Sequence, residues 1–145
     1  RVIGVKNSSM PVQDIQMFKQ EAGEDYIIFN GPDEQFISGR VIGAQGAIGG
    51  TYGVMPELFL KMDEYVKSGE LEKARTIQYA ANEIIYKMCS AKGNMYGIIK
   101  AILKINEGLD LGGVRKPLPA PAKEDEAIVQ EAADMIRAAK EKFLK

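Results

Sequence analysis

The chain has 145 residues, the length of one ordinary domain, and its 19 basic and 20 acidic side chains give a formal net charge of -1. That balance argues against a nucleic-acid partner, and no apolar run reaches the roughly 18 residues of a membrane span. The absence of histidine excludes a Ser-His-Asp triad and a histidine-ligated zinc within the chain. Cys89, the only cysteine, excludes an internal disulfide and fits a reducing compartment. We therefore expect a cytoplasmic protein with no membrane partner.

The first residues have the features of a strand followed by a helix. Residues 2–5 are apolar on both faces, as in a buried parallel strand. Ser8 and Ser9, with Pro11 after them, are typical of a helix start, and Gly23 is typical of a helix end. The pattern predicts a strand and then a helix that runs to about residue 22.

Two more apolar strands follow, separated by a short helix. The strands are predicted at residues 26–29 and 46–49, and the helix at residues 34–42. An alternation of strands and helices is typical of an α/β fold with a parallel sheet. Because three such strands leave two open sheet edges, we expect this segment to be part of a larger α/β structure.

After Tyr52 the pattern becomes helical. Apolar residues at spacings of three and four predict helices over residues 56–67, 70–92, 95–104 and 124–144. The stretch that begins at Gly108 is rich in glycine and proline and is predicted to connect the last two helices.

Lys6 is the first residue that could carry chemistry. It comes directly after the first predicted strand, and α/β barrels place their catalytic groups at the carboxyl ends of their strands. Burial at that position would favour the neutral amine, which can attack a carbonyl carbon and form a Schiff base. Position alone favours the simpler alternative, a surface lysine just beyond a strand end.

Asp33 and Glu34 follow the second strand at the equivalent end. A pair of carboxylates suits the hydroxyls of a polyol, but the same residues are also common at the start of a helix, and without context the helix start is favoured. The glycine-rich stretch at residues 43–53 has neither the spacing nor the lysine of a phosphate-binding loop. It indicates close approach of the backbone to a ligand, or tight packing at a strand end.

Three motifs in order, "GVKNSS", "FNGPDEQF" and "GAIGGTYGVM", resemble three consecutive strand ends of the N-acetylneuraminate lyase and dihydrodipicolinate synthase family. These are pyruvate-dependent class I aldolases on a (β/α)8 TIM barrel. The resemblance implies an α/β fold that is the carboxyl-terminal portion of such a barrel, strands six to eight plus a helical extension. Residues 1–55 would be the last three strand units, and residues 56–145 the final barrel helix and the extension.

The resemblance also implies roles for six residues. Lys6 would be the Schiff-base lysine at the end of the sixth strand. The "NGPDE" motif is more like the neuraminate lyase branch, in which these positions hold the hydroxyls of the substrate. The implied substrate-binding residues are Ser8, Gly31, Asp33, Glu34 and Gly50. Gly50 is a departure, because lyases usually carry serine there. We expect this glycine to remove a hydroxyl and to leave more room, which admits a related 2-keto-3-deoxy acid.

The expected activity is cleavage of a 2-keto-3-deoxy sugar acid to pyruvate and a sugar-derived aldehyde, with no metal or other cofactor. Strands one to five would be missing, together with the family's proton-shuttling tyrosine. We therefore expect the chain to act as a fragment, inactive alone, whose partners are the amino-terminal half of the barrel and further copies in an oligomer. Two alternatives are a dihydrodipicolinate synthase-like condensing enzyme and a non-catalytic, self-associating half-barrel.

Overall fold

Strands and helices alternate over the first third of the chain, and the remainder is helical. A computed structural model describes all 145 residues. The strands are β1 (Gly4–Asn7), β2 (Ile27–Asn30) and β3 (Gly46–Ala47). The α-helices are α1 (Gln13–Ala22), α2 (Phe36–Val41), α3 (Pro56–Ser68), α4 (Leu71–Cys89), α5 (Met95–Glu107) and α6 (Glu126–Phe143). Short 3-10 helices lie at Asp33–Gln35, Thr51–Gly53 and Lys123–Asp125.

The three strands form one parallel sheet in the order β1-β2-β3. The predicted α/β class and the parallel pairing are therefore correct. The register places Lys6 beside Phe29 and Asn7 beside Asn30. Since the carboxyl ends of parallel strands meet at one edge, the loops that follow β1, β2 and β3 converge there.

The first strand lies two residues later than the sequence pattern predicts. It covers Gly4–Asn7 instead of residues 2–5, so Lys6 lies within the strand and not after it. The ladder with β2 continues to Asn30, and this pairing extends β1 through two polar residues that the apolar pattern did not include. Val2 and Ile3 precede the strand and are 78% and 70% exposed, so the expected burial of this stretch is wrong for the chain by itself.

The predicted serine cap of the first helix is also wrong. The helix begins at Gln13, and no side chain caps its first turn. The Ser9 hydroxyl instead donates to Asp14 Oδ2 at 2.6 Å and lies 2.9 Å from Asn7 Oδ1. Because its hydroxyl contacts these side chains and the chain turns at Pro11, the helix starts later than the serines suggest.

The other element boundaries lie close to those predicted. The predicted helix at residues 34–42 is a 3-10 turn followed by α2, and α4 ends at Cys89 instead of residue 92. Gly23, Gly69 and Gly108 follow helix ends with φ of 84°, 80° and 69°, a region that glycine adopts without steric cost.

The main hydrophobic core lies between α3, α4, α5 and α6. It contains 19 buried residues, among them Ile77, Ile84, Ile98 and Ile136, and burying each such side chain contributes about 1.5–3 kcal/mol. A second, three-residue cluster of Ile15, Ile28 and Ala44 packs α1 against the sheet. No helix is both long enough and apolar enough to cross a membrane.

Candidate active site

A cleft of about 260 Å³ lies where the loops after the three strands converge. Five of the six predicted site residues line this cleft, namely Lys6, Gly31, Asp33, Glu34 and Gly50. The sixth, Ser8, is not among its lining residues. Helices α4 and α5 complete the wall with Ile85, Met95 and Tyr96. Residues that are up to 90 positions apart in the sequence (Lys6 and Tyr96) therefore share one site.

Lys6 reaches the cleft from the sheet. Side chains alternate along a strand, and Lys6 lies on the opposite face from Val5, whose partner Ile28 packs against α1. Lys6 therefore lies on the sheet face that α1 leaves uncovered. Its side chain is exposed, as in the surface-lysine alternative and unlike the buried lysine of the catalytic interpretation. The reason is that no element of this chain covers that face of the sheet.

Gly31 lies where the ends of β1 and β2 approach each other. Its N–H donates to the Asn7 carbonyl at 2.7 Å. A Cβ at Gly31 would lie 2.5 Å from that carbonyl oxygen and 2.4 Å from Ser8 Oγ. Only glycine fits so close to a neighbouring backbone. Gly31 thus brings Ser8 next to the cleft, although Ser8 is exposed and outside its lining.

Asp33 is buried and is held by the loop after β3. Its Oδ2 accepts one hydrogen bond from the Thr51 N–H at 2.8 Å and another from Thr51 Oγ1 at 2.5 Å. A Cβ at Gly49 would lie 1.4 Å from Asp33 Oδ1. The carboxylate therefore lies directly against a glycine, and a larger residue at position 49 would displace it. The helix-start alternative accounts for the position of Asp33 in a 3-10 turn but not for this cross-loop contact.

Glu34 lines the cleft with its carboxylate free of protein partners. The side chain is half-buried and forms no hydrogen bond or ion pair, whereas its backbone carbonyl accepts from Asn82 Nδ2 at 3.1 Å. A carboxylate in this state can accept hydrogen bonds from a ligand. No three acidic or cysteine side chains are grouped so that they could hold a metal ion.

Gly50 faces an aromatic ring. A Cβ at this position would lie 3.0 Å from Tyr96 Cε1 and 3.7 Å from Ile99 Cδ1. The room that the sequence led us to expect beside Gly50 is therefore taken in part by Tyr96, which α5 places at the rim of the cleft. Gly50 itself has ordinary helical dihedral angles. What matters at this position is therefore the absence of a side chain and not an unusual backbone conformation.

Tyr52 lies behind the cleft and has a buried hydroxyl with no hydrogen-bond partner. Its ring packs edge-on against Phe36 and Phe59, with centroids 6.1 and 4.1 Å away. Burial, reinforced by the negative charge of Asp33, raises the pKa of Tyr52 well above its ordinary value of 10.0. The phenol therefore stays protonated at neutral pH and is not suited to act as a base.

Three residues of the site were missed by sequence reasoning. Thr51 and Gly49 belong to the glycine-rich stretch, which indicated close packing without naming a partner. Tyr96 lies on a separate helix, and nothing near it in the sequence connects it with the strand ends. Only the glycine pair at positions 49 and 50 gave a signal for a close contact.

The model of the dihydrodipicolinate synthetase family matches residues 1–138. The chain belongs to this family. Members of the family that resemble it strongly include the N-acetylneuraminate lyase of Mediterraneibacter gnavus, 76% identical over 99% of this chain. The N-acetylneuraminate lyase of Rhizobium meliloti is 36% identical over 97% of the chain.

Solved structures agree with this family membership. The wild-type Ruminococcus gnavus sialic acid aldolase covers 98% of the chain with a TM-score of 0.96 and 76% identity, and a catalytic lysine mutant of that aldolase has the same TM-score. The KD(P)GA of T. tenax, at 20% identity and a TM-score of 0.83, shows the shared fold. These structural neighbours are TIM-barrel aldolases.

The chain spans about half the length of the relatives that it matches. It covers 45% of the Mediterraneibacter lyase, 46% of the Rhizobium lyase and 47% of the Ruminococcus aldolase structures. The family's fold is therefore represented here by only part of its elements.

Proposed function

We propose that this chain supplies the carboxyl-terminal part of a lyase that cleaves a 2-keto-3-deoxy sugar acid, such as N-acetylneuraminate, to pyruvate and an aldehyde. The observation that carries the proposal is the single cleft in which the Lys6 amine, the free Glu34 carboxylate and the Asp33 carboxylate meet. The relatives that cover nearly the whole chain are N-acetylneuraminate lyases, which supports this substrate class.

Lys6 is proposed as the nucleophile. Its neutral amine attacks the keto carbon of the substrate to give a carbinolamine, which takes up a proton from solvent and loses water to leave a protonated imine. When the bond between C3 and C4 breaks, its electron pair passes into the imine to give an enamine, and the C4 hydroxyl loses its proton to solvent as the aldehyde forms. Protonation of the enamine and hydrolysis release pyruvate and restore the amine. The Ruminococcus aldolase also has a catalytic lysine, which supports this assignment.

The carboxylates are proposed to hold the hydroxyl-bearing end of the substrate. Glu34 has both oxygens available, and Asp33 has Oδ1, because its Oδ2 is taken by Thr51. Ser8 and the backbone at Gly31 and Gly50 would complete the substrate contacts. A hydrogen bond to a charged group contributes about 1.5–3 kcal/mol, so each carboxylate can change substrate affinity tenfold or more.

We also propose that the three strands are strands six to eight of the barrel. Residues 1–55 would then be its last three strand units, and residues 56–145 its final helix and a helical extension. The uncovered sheet face and the two unpaired sheet edges support further strands, one to five, packed beside these three. By itself the chain would lack part of the site and would not cleave the substrate.

A condensing activity of the dihydrodipicolinate synthase type is less well supported. The 4-hydroxy-tetrahydrodipicolinate synthase of Methanopyrus kandleri is 37% identical, but over only 54% of this chain. The lyases match 97% and 99% of it. The pair of carboxylates in the cleft also suits a polyol.

The proposal is tested in a hybrid enzyme, in which this chain replaces the matching segment of the Mediterraneibacter gnavus lyase. Treated with pyruvate and borohydride, the hybrid enzyme should gain a pyruvate-sized mass on the peptide that contains Lys6. Lys6→Arg should abolish both the adduct and turnover of N-acetylneuraminate, because a guanidinium is not a nucleophile at neutral pH. Lys67→Arg, an exposed lysine on α3, is the control. An adduct on another lysine, or none, would contradict the proposal.

A further inference from the structure

Helix α4 contacts the candidate site through two neutral amide side chains. Gln78 and Asn82 are four residues apart and therefore lie on one face of the helix, one turn from each other. Gln78 is buried, at 3% exposure, and Asn82 is half-buried. Both belong to the helical part of the chain, 41 to 48 residues after the segment that they contact.

The two amides bind the backbone of the segment that carries the site's carboxylates. Gln78 Nε2 donates to the Asp33 carbonyl at 3.1 Å, and Gln78 Oε1 accepts from the Ile37 N–H at 3.1 Å. Asn82 Nδ2 donates to the Glu34 carbonyl at 3.1 Å. Gln78 Nε2 also donates to Asn82 Oδ1 at 2.8 Å, which links the two side chains.

These bonds fix the backbone of two consecutive residues. The direction of each Cα–Cβ bond follows from the backbone, so fixing the carbonyls of Asp33 and Glu34 also fixes where their carboxylates begin. The segment changes from a 3-10 turn to an α-helix at this point, and the backbone hydrogen bonds of a 3-10 turn have poorer geometry than those of an α-helix. Since both amides are neutral, they hold the segment without a positive charge that would compete with ligand hydroxyls for the carboxylates.

We propose that Gln78 and Asn82 are positioning residues that orient the Asp33 and Glu34 carboxylates toward the hydroxyls of the substrate. This inference rests on the proposed function. The helical part of the chain is then needed for substrate affinity as well as for stability. The Lys6 amine lies on the sheet and not on this segment, so its position does not depend on the two amides.

The test uses Gln78→Met and Asn82→Leu in the hybrid enzyme, since both changes keep side-chain size and remove the hydrogen bonds. KM for N-acetylneuraminate should rise about fivefold or more, the effect of losing a hydrogen bond in the site. The rate at which borohydride traps pyruvate on Lys6 should stay unchanged. If Gln78→Met does not fold, Asn82→Leu still provides the test, because Asn82 is only half-buried.

Asn106→Leu is the matched control. Asn106 Nδ2 also donates to a backbone carbonyl, that of Ala133 at 3.1 Å, but at the contact between α5 and α6. This variant should leave KM unchanged. The positioning role would be overturned if Asn82→Leu left KM unchanged, or if Asn82→Leu and Asn106→Leu raised KM equally. Trapping of pyruvate on Lys6 in the same enzymes would still uphold the lyase proposal. Absence of trapping in the parent hybrid enzyme would overturn the lyase proposal, and this inference with it.

Discussion

Thr51 donates both its backbone N–H and its hydroxyl to a single oxygen of Asp33, at 2.8 and 2.5 Å. The contact joins the loop after β3 to the loop after β2, and both residues are buried. One carboxylate oxygen therefore holds the two loops together, and the other, Oδ1, accepts no hydrogen bond from the protein. Asp33 thus combines a structural contact with the capacity to bind a ligand.

Thr51→Val should destabilise the hybrid enzyme, because it removes the hydroxyl donor from a buried carboxylate while the backbone donor remains. Hydrogen bonds to charged groups contribute about 1.5–3 kcal/mol, so the free energy of unfolding should fall by roughly that amount. Urea denaturation measures the change. Thr51→Ser keeps the hydroxyl and should retain most of the stability. Equal unfolding midpoints for Thr51→Val and the parent would show that the hydroxyl contact contributes little.

Gly50→Ser should raise KM for N-acetylneuraminate about fivefold or more, because the new Cβ would lie 3.0 Å from Tyr96 Cε1 and both residues line the cleft. Overpacking of this kind costs about 1 kcal/mol or more, which would oppose substrate binding there. Tyr96→Leu in the same variant should reverse part of the increase. Gly53→Ser is the control, since a Cβ there meets no atom within 4 Å. A lower KM in Gly50→Ser alone would mean that the serine hydroxyl outweighs the contact with Tyr96.

Because of Asp125, the folding stability of the protein should change with pH in the acidic range. Its carboxylate accepts from the N–H groups of Lys92, Gly93 and Ala122 at 2.8, 2.9 and 2.8 Å. These backbone donors, with Lys92 the largest contributor, hold the pKa of Asp125 below its ordinary value of 3.8. A depressed pKa means that the stabilisation is complete above the unfolded-state value and is lost as pH falls through the folded-state value.

Urea denaturation of the hybrid enzyme between about pH 2 and pH 6 should show this loss. Asp125→Asn should be less stable than the parent at pH 6, and the difference should shrink as the pH falls. Asp134→Asn, on the neighbouring helix α6 and paired with Arg137 at the surface, should leave the acid dependence nearly unchanged. A difference between Asp125→Asn and the parent that stays constant with pH would contradict the assignment.

The chain by itself should associate. The outer sides of β1 and β3 are unpaired, and an exposed apolar strand edge recruits another chain. Val5, on β1, is 42% exposed. Sedimentation at micromolar concentration should therefore show species larger than the 15.9 kDa monomer. Val5→Lys should reduce association more than Tyr79→Lys, on the exposed face of α4. A single monomeric species with cooperative unfolding would show that the three strands suffice.

The order of the elements could be read from the sequence because it depends on neighbouring residues. Apolar runs, helical periodicity and glycines such as Gly23 and Gly69 act within a few positions, so they predicted three strands and six helical segments with small boundary errors. The larger errors, at β1 and at the start of α1, arose where strand pairing and side-chain contacts outweighed the local pattern.

Only those residues of the candidate site that belong to the sequence motifs could be predicted. Lys6, Asp33 and Glu34 are placed at strand ends by the motifs themselves, and parallel strands bring such ends together. The partners of these residues depend on distances across the fold. Thr51 is 18 residues from Asp33, and Gln78 is 45 residues from it. The approach of the loop after β3 decided the first contact, and the packing of α4 against the loop after β2 decided the second. No local pattern in the sequence encodes which distant side chains a fold brings within hydrogen-bond reach.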